Sequence, residues 1–374
     1  QLMSAAREKM GARDTILILV ATSGDTGKAA LEGFADAPGI RMMVFYPDGG
    51  VSPVQRLQMV TQEGGNVKVV AVRGNFDDAQ RGVKEIFGDA AAQKELAVSH
   101  TRLSSANSIN WGRLVPQIVY YFSAYADILA EGKIAAGDAV NFTVPTGNFG
   151  NILAGYYAKR MGLPVGKLIC ASNANNVLTD FLQTGIYDRK RDFYQTISPS
   201  MDILISSNLE RLLYHLTENA GQVDAWMRSL TEEGRYDASS LLPALKENFW
   251  AAFADDTATE AEIRTVHERT QYTLDTHTAV AYRAAEGYRS ETGDTRPMIV
   301  LSTASPYKFG ASVLHAFGET ADGMDEFVQM ERLQERSGMA IPTRLAALRG
   351  AKILHEDSCA KDAMRAAVLT FARA

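Results

Sequence analysis

The stretch from residue 140 to residue 161, VNFTVPTGNFGNILAGYYAKRM, constrains the chain most. Residues 140–144 are apolar and β-branched and end at Pro145, which reads as a buried strand. Residues 146–151, Thr-Gly-Asn-Phe-Gly-Asn, have the glycines and amides of a tight turn. Apolar residues then recur at helical spacing up to Gly162 and Pro164. A turn of this kind gathers backbone N–H groups at the positive end of a helix, an arrangement that suits a phosphate. The alternative is a plain connector, for which two glycines three apart between Asn148 and Asn151 is an unusual composition.

The remainder of the chain repeats the strand–turn–helix theme. Residues 15–21 (TILILVA), 41–46 (RMMVFY) and 67–72 (VKVVAV) are apolar runs alternating with helical patterns at 28–35, 53–62 and 75–87. In the last of these, Asp77 and Asp78 suit the first turn. That alternation predicts a doubly wound parallel sheet. A long helical pattern follows at 108–131, with Ser108 as its N-cap. A second α/β series begins at residue 140 and continues with the strand 167–172 and the helix 177–184. Helical patterns dominate from 185 to 277, including one at 241–254, and read as an insertion. The strand 297–301 is followed by a helical tail with a short strand at 339–341.

Three turns follow predicted strands directly: 22–27 (TSGDTG), 146–151 and 302–306 (STASP). In open α/β sheets ligands bind beyond the carboxyl ends of strands. The first turn suits a carboxylate or phosphate, or is simply a capped turn with Asp25 or Thr26 as N-cap. It has neither the Walker A spacing nor GxGxxG, and no GxSxG elbow occurs anywhere in the chain. Asn110 and Arg113 are three apart on one helical face, placed to meet a polar ligand. Asp275-Thr276-His277-Thr278 offers a histidine with partners, whose place at a helix start favours a structural role.

With 374 residues the chain can bury more than one core, and its net charge of −6 gives no reason to expect nucleic acid. No stretch is long and apolar enough for a membrane-spanning helix. The two cysteines, Cys170 and Cys359, form no disulfide or zinc pattern, so a reducing, cytoplasmic setting is expected, and the six scattered histidines show no metal site.

Taken together these motifs resemble threonine synthase, a pyridoxal-phosphate enzyme of the tryptophan-synthase-β fold type. The matching segments are ATSGDTGKAALEGF (21–34), YPDGGVSPVQRLQM (46–59), SANSINWGRLVPQIVYY (105–121), VPTGNFGNILAGYYAKRMGLP (144–164), SPSMDILISSNLERLLY (198–214), DTHTAVAY (275–282) and LSTASPYKF (301–309). The block at 198–214 belongs to the long-insertion branch of that family. The resemblance implies two doubly wound, mostly parallel α/β domains with a cofactor cleft between them and a helical insertion at about 185–277. The expected boundaries are a helix remnant at 1–14, a smaller domain at 15–104, a connecting helix at 105–136 and a larger domain at 137–374.

It further implies that Gly147, Asn148, Phe149 and Asn151 cradle the phosphate of pyridoxal 5'-phosphate and that Thr303 bonds the pyridine nitrogen. A neutral hydroxyl there leaves that nitrogen less fully protonated than a carboxylate would. Ser23, Gly24, Asp25 and Thr26 would hold the α-carboxylate of the substrate, O-phospho-L-homoserine, and Asn110 the cofactor's phenolic oxygen or the substrate. Two departures stand out. Ser305-Pro306-Tyr307 replaces the family's usual His-Pro-Ala, and Thr276 its usual Pro. The family's Schiff-base lysine, in His-Gly-Pro-Thr-x-x-Phe-Lys-Asp, has no counterpart here. Residues 1–11 resemble the helix that follows it, so the lysine is expected just upstream of Gln1. Nothing singles out Lys28 or Lys308 as a substitute. The alternatives are a related phospholyase or dehydratase, and a non-catalytic binding protein of the same fold.

Overall fold

The computed structural model of the protein describes residues 2–22, 24–107 and 110–373. The chain forms two compact units, Gln1–Asn110 with Ala340–Ala374, and Trp111–Met339.

The first unit opens with the helix Leu2–Lys9 and then alternates strands with helices. Its strands are β1 (Thr15–Ala21), β2 (Ile40–Pro47), β3 (Val67–Arg73) and β4 (Thr101–Ser105), all parallel. Side chains alternate between the faces, as the period of two requires. Leu17, Leu19, Phe45 and Val72 pack with Val83, Ile86 and Leu96 from the helices Phe76–Gly88 and Ala90–Val98. Ile18, Val20, Val44 and Val69 pack with Leu31 and Met59 from the helices Asp25–Phe34 and Pro53–Val60. Because helices cover both faces, the strands read as unbroken apolar runs.

The second unit contains β5 (Val140–Pro145), β6 (Val165–Ser172), β7 (Ile186–Asp188), β8 (Arg235–Asp237), β9 (Phe249–Phe253) and β10 (Met298–Val300). Its main sheet is parallel in the order β10-β5-β6-β9, and β7 and β8 make a separate antiparallel pair. One face is filled by Phe142, Val144, Leu168 and Leu153, with Tyr121 edge-on to Phe142 at 4.9 Å. The other packs Ile169 and Ala171 on Val280, Ala281 and Ala284 of the helix Thr276–Thr292. Among the described residues no helix is long and apolar enough to cross a membrane.

Several expectations need correction. The larger domain does not run to residue 374. A last strand, β11 (Ser358–Ala360), pairs with β3 and completes the first sheet in the order β11-β3-β2-β1-β4. The helix Met364–Arg373 then buries Val368 and Leu369 in the first unit's core. Residues 339–341 are not a strand. Residues 241–254 are not one helix: Leu242–Asn248 is helical, and Phe249–Phe253 is β9, hydrogen-bonded along β6. The α/β alternation therefore resumes inside the expected insertion. β10 is a half-buried edge strand. The long helix is Trp111–Ala130, and the cap expected at Ser108 lies outside the described residues.

Candidate functional site

β5 is buried along its whole length and delivers residues 146–151 at its carboxyl end. Thr146 is fixed twice: its N–H donates to Ala171 O at 2.8 Å, and its Oγ1 donates to Val144 O at 2.7 Å. Phe149 takes the left-handed conformation, φ 58°, immediately before the helix Gly150–Arg160. Such a conformation is uncommon for a bulky residue; here the ring is buried and packs on Phe249 at 5.9 Å. Among the described residues no acceptor meets the backbone N–H of Gly147, Asn148 or Phe149. Three unsatisfied donors at a helix N-terminus form a ready anion site.

Three consecutive side chains hold this loop from outside. Ser206 Oγ donates to Gly147 O at 2.6 Å, Ser207 Oγ to Asn148 Oδ1 at 3.0 Å, and Asn208 Nδ2 to Asn148 O at 2.9 Å. With its Oδ1 accepting, the Asn148 carboxamide keeps Nδ2 as a donor. Asn151 sits in the helix's first turn, and its carbonyl accepts from the buried Tyr121 hydroxyl at 2.6 Å. Gly147 lies against the segment 198–202: a Cβ there would stand 2.8 Å from Ser200 O and 3.3 Å from Met201 Cα.

That segment is anchored by Asp202, a buried carboxylate. Oδ1 accepts from Asn173 Nδ2 at 2.8 Å, Asn175 Nδ2 at 3.0 Å and Thr196 Oγ1 at 2.7 Å, while Oδ2 accepts from Thr196 N at 3.0 Å. Burial pushes its pKa above the ordinary aspartate value, against the lowering effect of hydrogen bonds from Thr196 and Asn173. Asp202→Asn turns one acceptor into a donor facing donors. An unfolding titration should show a loss of about 1–3 kcal/mol; an unchanged midpoint would contradict this anchoring role.

Thr303 follows β10, the strand beside β5, so it emerges at the same sheet end as the loop 146–151. It is exposed, in a turn where Ser302 Oγ lies 3.4 Å from Thr278 Oγ1. His277 is buried with both ring nitrogens occupied, by Asp275 and by the N–H of Ser200. Arg113 is half-buried without an acidic partner among the described residues, and burial lowers its pKa from the ordinary guanidinium value.

In the first unit, Thr22 and residues 24–27 follow the carboxyl end of β1, and Ala106 and Asn107 follow that of its neighbour β4. Asn107 ties the two ends together, accepting from Ala21 N at 3.3 Å and donating to Ala21 O at 2.7 Å. Ser23 lies outside the described residues. Gly24, with φ 133°, occupies the N-cap position of the helix Asp25–Phe34 without a side-chain cap. The expected cap by Asp25 or Thr26 is replaced by Thr22 Oγ1, which accepts from Gly24 N at 3.0 Å and Gly27 N at 2.9 Å. Asp25 and Thr26 stand half-buried in the first turn. Gln55 packs against Gly24, buried, with Oε1 accepting from Ser52 N. Asn110 Nδ2 donates to Ser105 O at 2.7 Å. Lys28 is engaged by Glu32 at 2.8 Å and by Gln62.

The sequence reading missed Thr22, Gln55, Asn107, Asp202 and the trio 206–208. Only Ser206-Ser207-Asn208 carried a signal, a run of small polar residues ahead of a helix that invites an N-cap reading.

Residues 1–303 match the family described as "Pyridoxal-phosphate dependent enzyme", and residues 278–349 match "Threonine synthase, C-terminal". The chain belongs to the pyridoxal-phosphate-dependent enzymes, and its cofactor is pyridoxal 5'-phosphate. Within that class it is a member of the threonine synthase family. It is 40% identical over 338 residues to the threonine synthase of Eremothecium gossypii, covering 86% of this chain and 64% of that protein. To "Threonine synthase-like 1" of Homo sapiens it is 44% identical over 309 residues, 80% of this chain and 41% of that protein. The chain thus spans between about two fifths and two thirds of the length of these relatives. The PLP-bound threonine synthase from Brucella melitensis superposes with a TM-score of 0.82 at 37% identity, covering 100% of this chain and 74% of that one. The yeast threonine synthase gives 0.83 at 33% identity, covering 99% and 72%. The free N–H groups, the Asn148 amide and the lack of room at Gly147 fit the cofactor's phosphate.

Proposed function

We propose that the whole protein is a lyase converting O-phospho-L-homoserine and water into L-threonine and phosphate. The net change breaks the bond between Cγ and the phosphate oxygen and one C–H bond at Cβ, adds a proton at Cγ to leave a methyl, and places water's hydroxyl on Cβ while water's other proton goes to the phosphate. The bound cofactor supplies the electron sink that such carbanion chemistry needs. The observation that carries the reading is the loop 146–151, whose three N–H groups at a helix N-terminus meet no acceptor among the described residues, in a chain of the threonine synthase family.

Each residue then has a task. Gly147, Asn148 and Phe149 donate to the cofactor phosphate, with Asn151 beside them in the first helical turn. The Thr303 hydroxyl meets the pyridine nitrogen. Residues 23–26 hold the substrate's α-carboxylate at the start of the helix Asp25–Phe34, where the dipole favours it. Asn110 meets the phenolic oxygen or the substrate. Arg113, a half-buried cation without an acidic partner among the described residues, suits the substrate's own phosphate. A cytoplasmic setting belongs to the same reading, supported by two buried free thiols, Cys170 and Cys359.

The test is product identity. The whole protein with its cofactor should release phosphate and threonine in equal amounts from O-phospho-L-homoserine. Formation of 2-oxobutyrate alone would replace the synthase reading with that of a phospholyase, and binding without turnover would favour the non-catalytic alternative.

A further inference from the structure

The buried histidine of the 275–278 segment has no place in the chemistry above, and its surroundings assign it one. His277 lies in the first turn of the helix Thr276–Thr292, 2% exposed, and its ring packs on Phe309 at 4.9 Å. Asp275 caps that helix. Its Oδ1 accepts from the backbone N–H of His277 at 2.9 Å and meets the ring's Nδ1 at 3.2 Å. Thr276 Oγ1 also lies 3.4 Å from Nδ1. A backbone N–H only donates, so Nε2, which faces that of Ser200, presents a lone pair, and the ring's proton sits on Nδ1 toward Asp275. That lone pair receives the backbone N–H of Ser200 at 3.2 Å. Ser200 is the residue whose carbonyl fills the space beside Gly147, within 2.8 Å of a Cβ built there. Asp275, His277, Ser200 and Gly147 thus form a continuous line from a helix cap to the loop proposed to hold the cofactor phosphate.

We infer that His277 is a positioning residue for the cofactor phosphate. It acts as a fixed-tautomer acceptor that holds the Ser200 peptide, and through it the loop 146–151, in register. This rests on the reading of that loop as the phosphate site. His277 touches neither cofactor nor substrate; it governs how well the phosphate is read. Its loss should therefore weaken ligands that carry the phosphate and spare those that do not.

The experiment strips the whole protein of cofactor and titrates it, by absorbance, with pyridoxal 5'-phosphate and with pyridoxal, which lacks the phosphate. His277→Phe keeps a ring against Phe309 but removes the acceptor. It should lower affinity for the phosphorylated form about tenfold and leave pyridoxal affinity unchanged. His277→Gln, whose Oε1 can accept from Ser200, should restore most of the difference. Asp275→Asn keeps a good N-cap but no longer fixes the tautomer, and should shift the ratio in the same direction as His277→Phe. Should His277→Phe fail to fold, Asp275→Asn carries the decision. A wild-type ratio of the two affinities in the folded variants overturns the inference while leaving the phosphate site standing. A wild-type protein that does not distinguish the two ligands overturns both.

Discussion

Gly147→Ala is expected to cost the protein most of its cofactor affinity, on the order of 10- to 100-fold, which corresponds to the 1–3 kcal/mol typical of overpacking. The reason is the nature of the neighbours. The new methyl would stand 2.8 Å from Ser200 O and 3.3 Å from Met201 Cα, both backbone atoms that no rotamer can move aside. The segment behind them is held by the four hydrogen bonds to Asp202 and by His277. The displacement therefore falls on residues 147–149, whose N–H groups are the proposed donors to the phosphate. Titration of the apo form with pyridoxal 5'-phosphate checks this, and an affinity within twofold of wild type would contradict it. Turnover at saturating cofactor should recover in part, because the defect lies in holding the cofactor.

Gly24→Ala should give the complementary pattern: KM for the amino-acid substrate rises on the order of 100-fold, while cofactor affinity stays near wild type. Two costs add here. A φ of 133° lies outside the regions open to L-residues and costs about 1–3 kcal/mol. The methyl would also stand 2.4 to 2.7 Å from the amide atoms of Gln55. Gln55 cannot step back, because it is buried and belongs to a capping box with Ser52. Thr22 and residues 24–27 must rebuild, and the bonds from Gly24 and Gly27 to Thr22 Oγ1 are broken or stretched. Steady-state kinetics of the whole protein, beside a cofactor titration, separates the cases. An unchanged KM, or a cofactor defect as large as that of Gly147→Ala, would contradict the assignment of this loop to the substrate carboxylate.

The first sheet was legible because helices cover both its faces, so TILILVA and VKVVAV stand out as unbroken apolar runs. β4, with the sequence TRLSS, escaped notice because an edge strand needs no such run. β11 is three residues long and pairs with a strand some 285 residues earlier, and nothing local marks that pairing. β9 was hidden for another reason. FWAAF follows a helical stretch directly and has too few residues to show a period, and its strand state is set by pairing with β6.

The same division runs through the site. Both candidate loops announced themselves by their glycines, since the backbone there needs a positive φ or an approach that a side chain would block. What supports them gave no sign of what it supports, even where, as at 206–208, a run of small polar residues invited a local N-cap reading. Ser206, Ser207 and Asn208 act on residues 59 and 60 positions away, and His277 acts on a peptide 77 positions away. Thr22 displaced Asp25 and Thr26 as the cap of its helix because it stands beneath the turn. Such roles depend on tertiary placement and leave no trace in local spacing.

The most direct test of the central claim is a crystal structure of the whole protein with its cofactor bound. The cofactor phosphate should lie about 3 Å from the backbone N–H groups of Gly147, Asn148 and Phe149, with Asn148 Nδ2 as a further donor. A phosphate seated instead on the N–H groups of residues 24–27 would contradict the assignment of both loops.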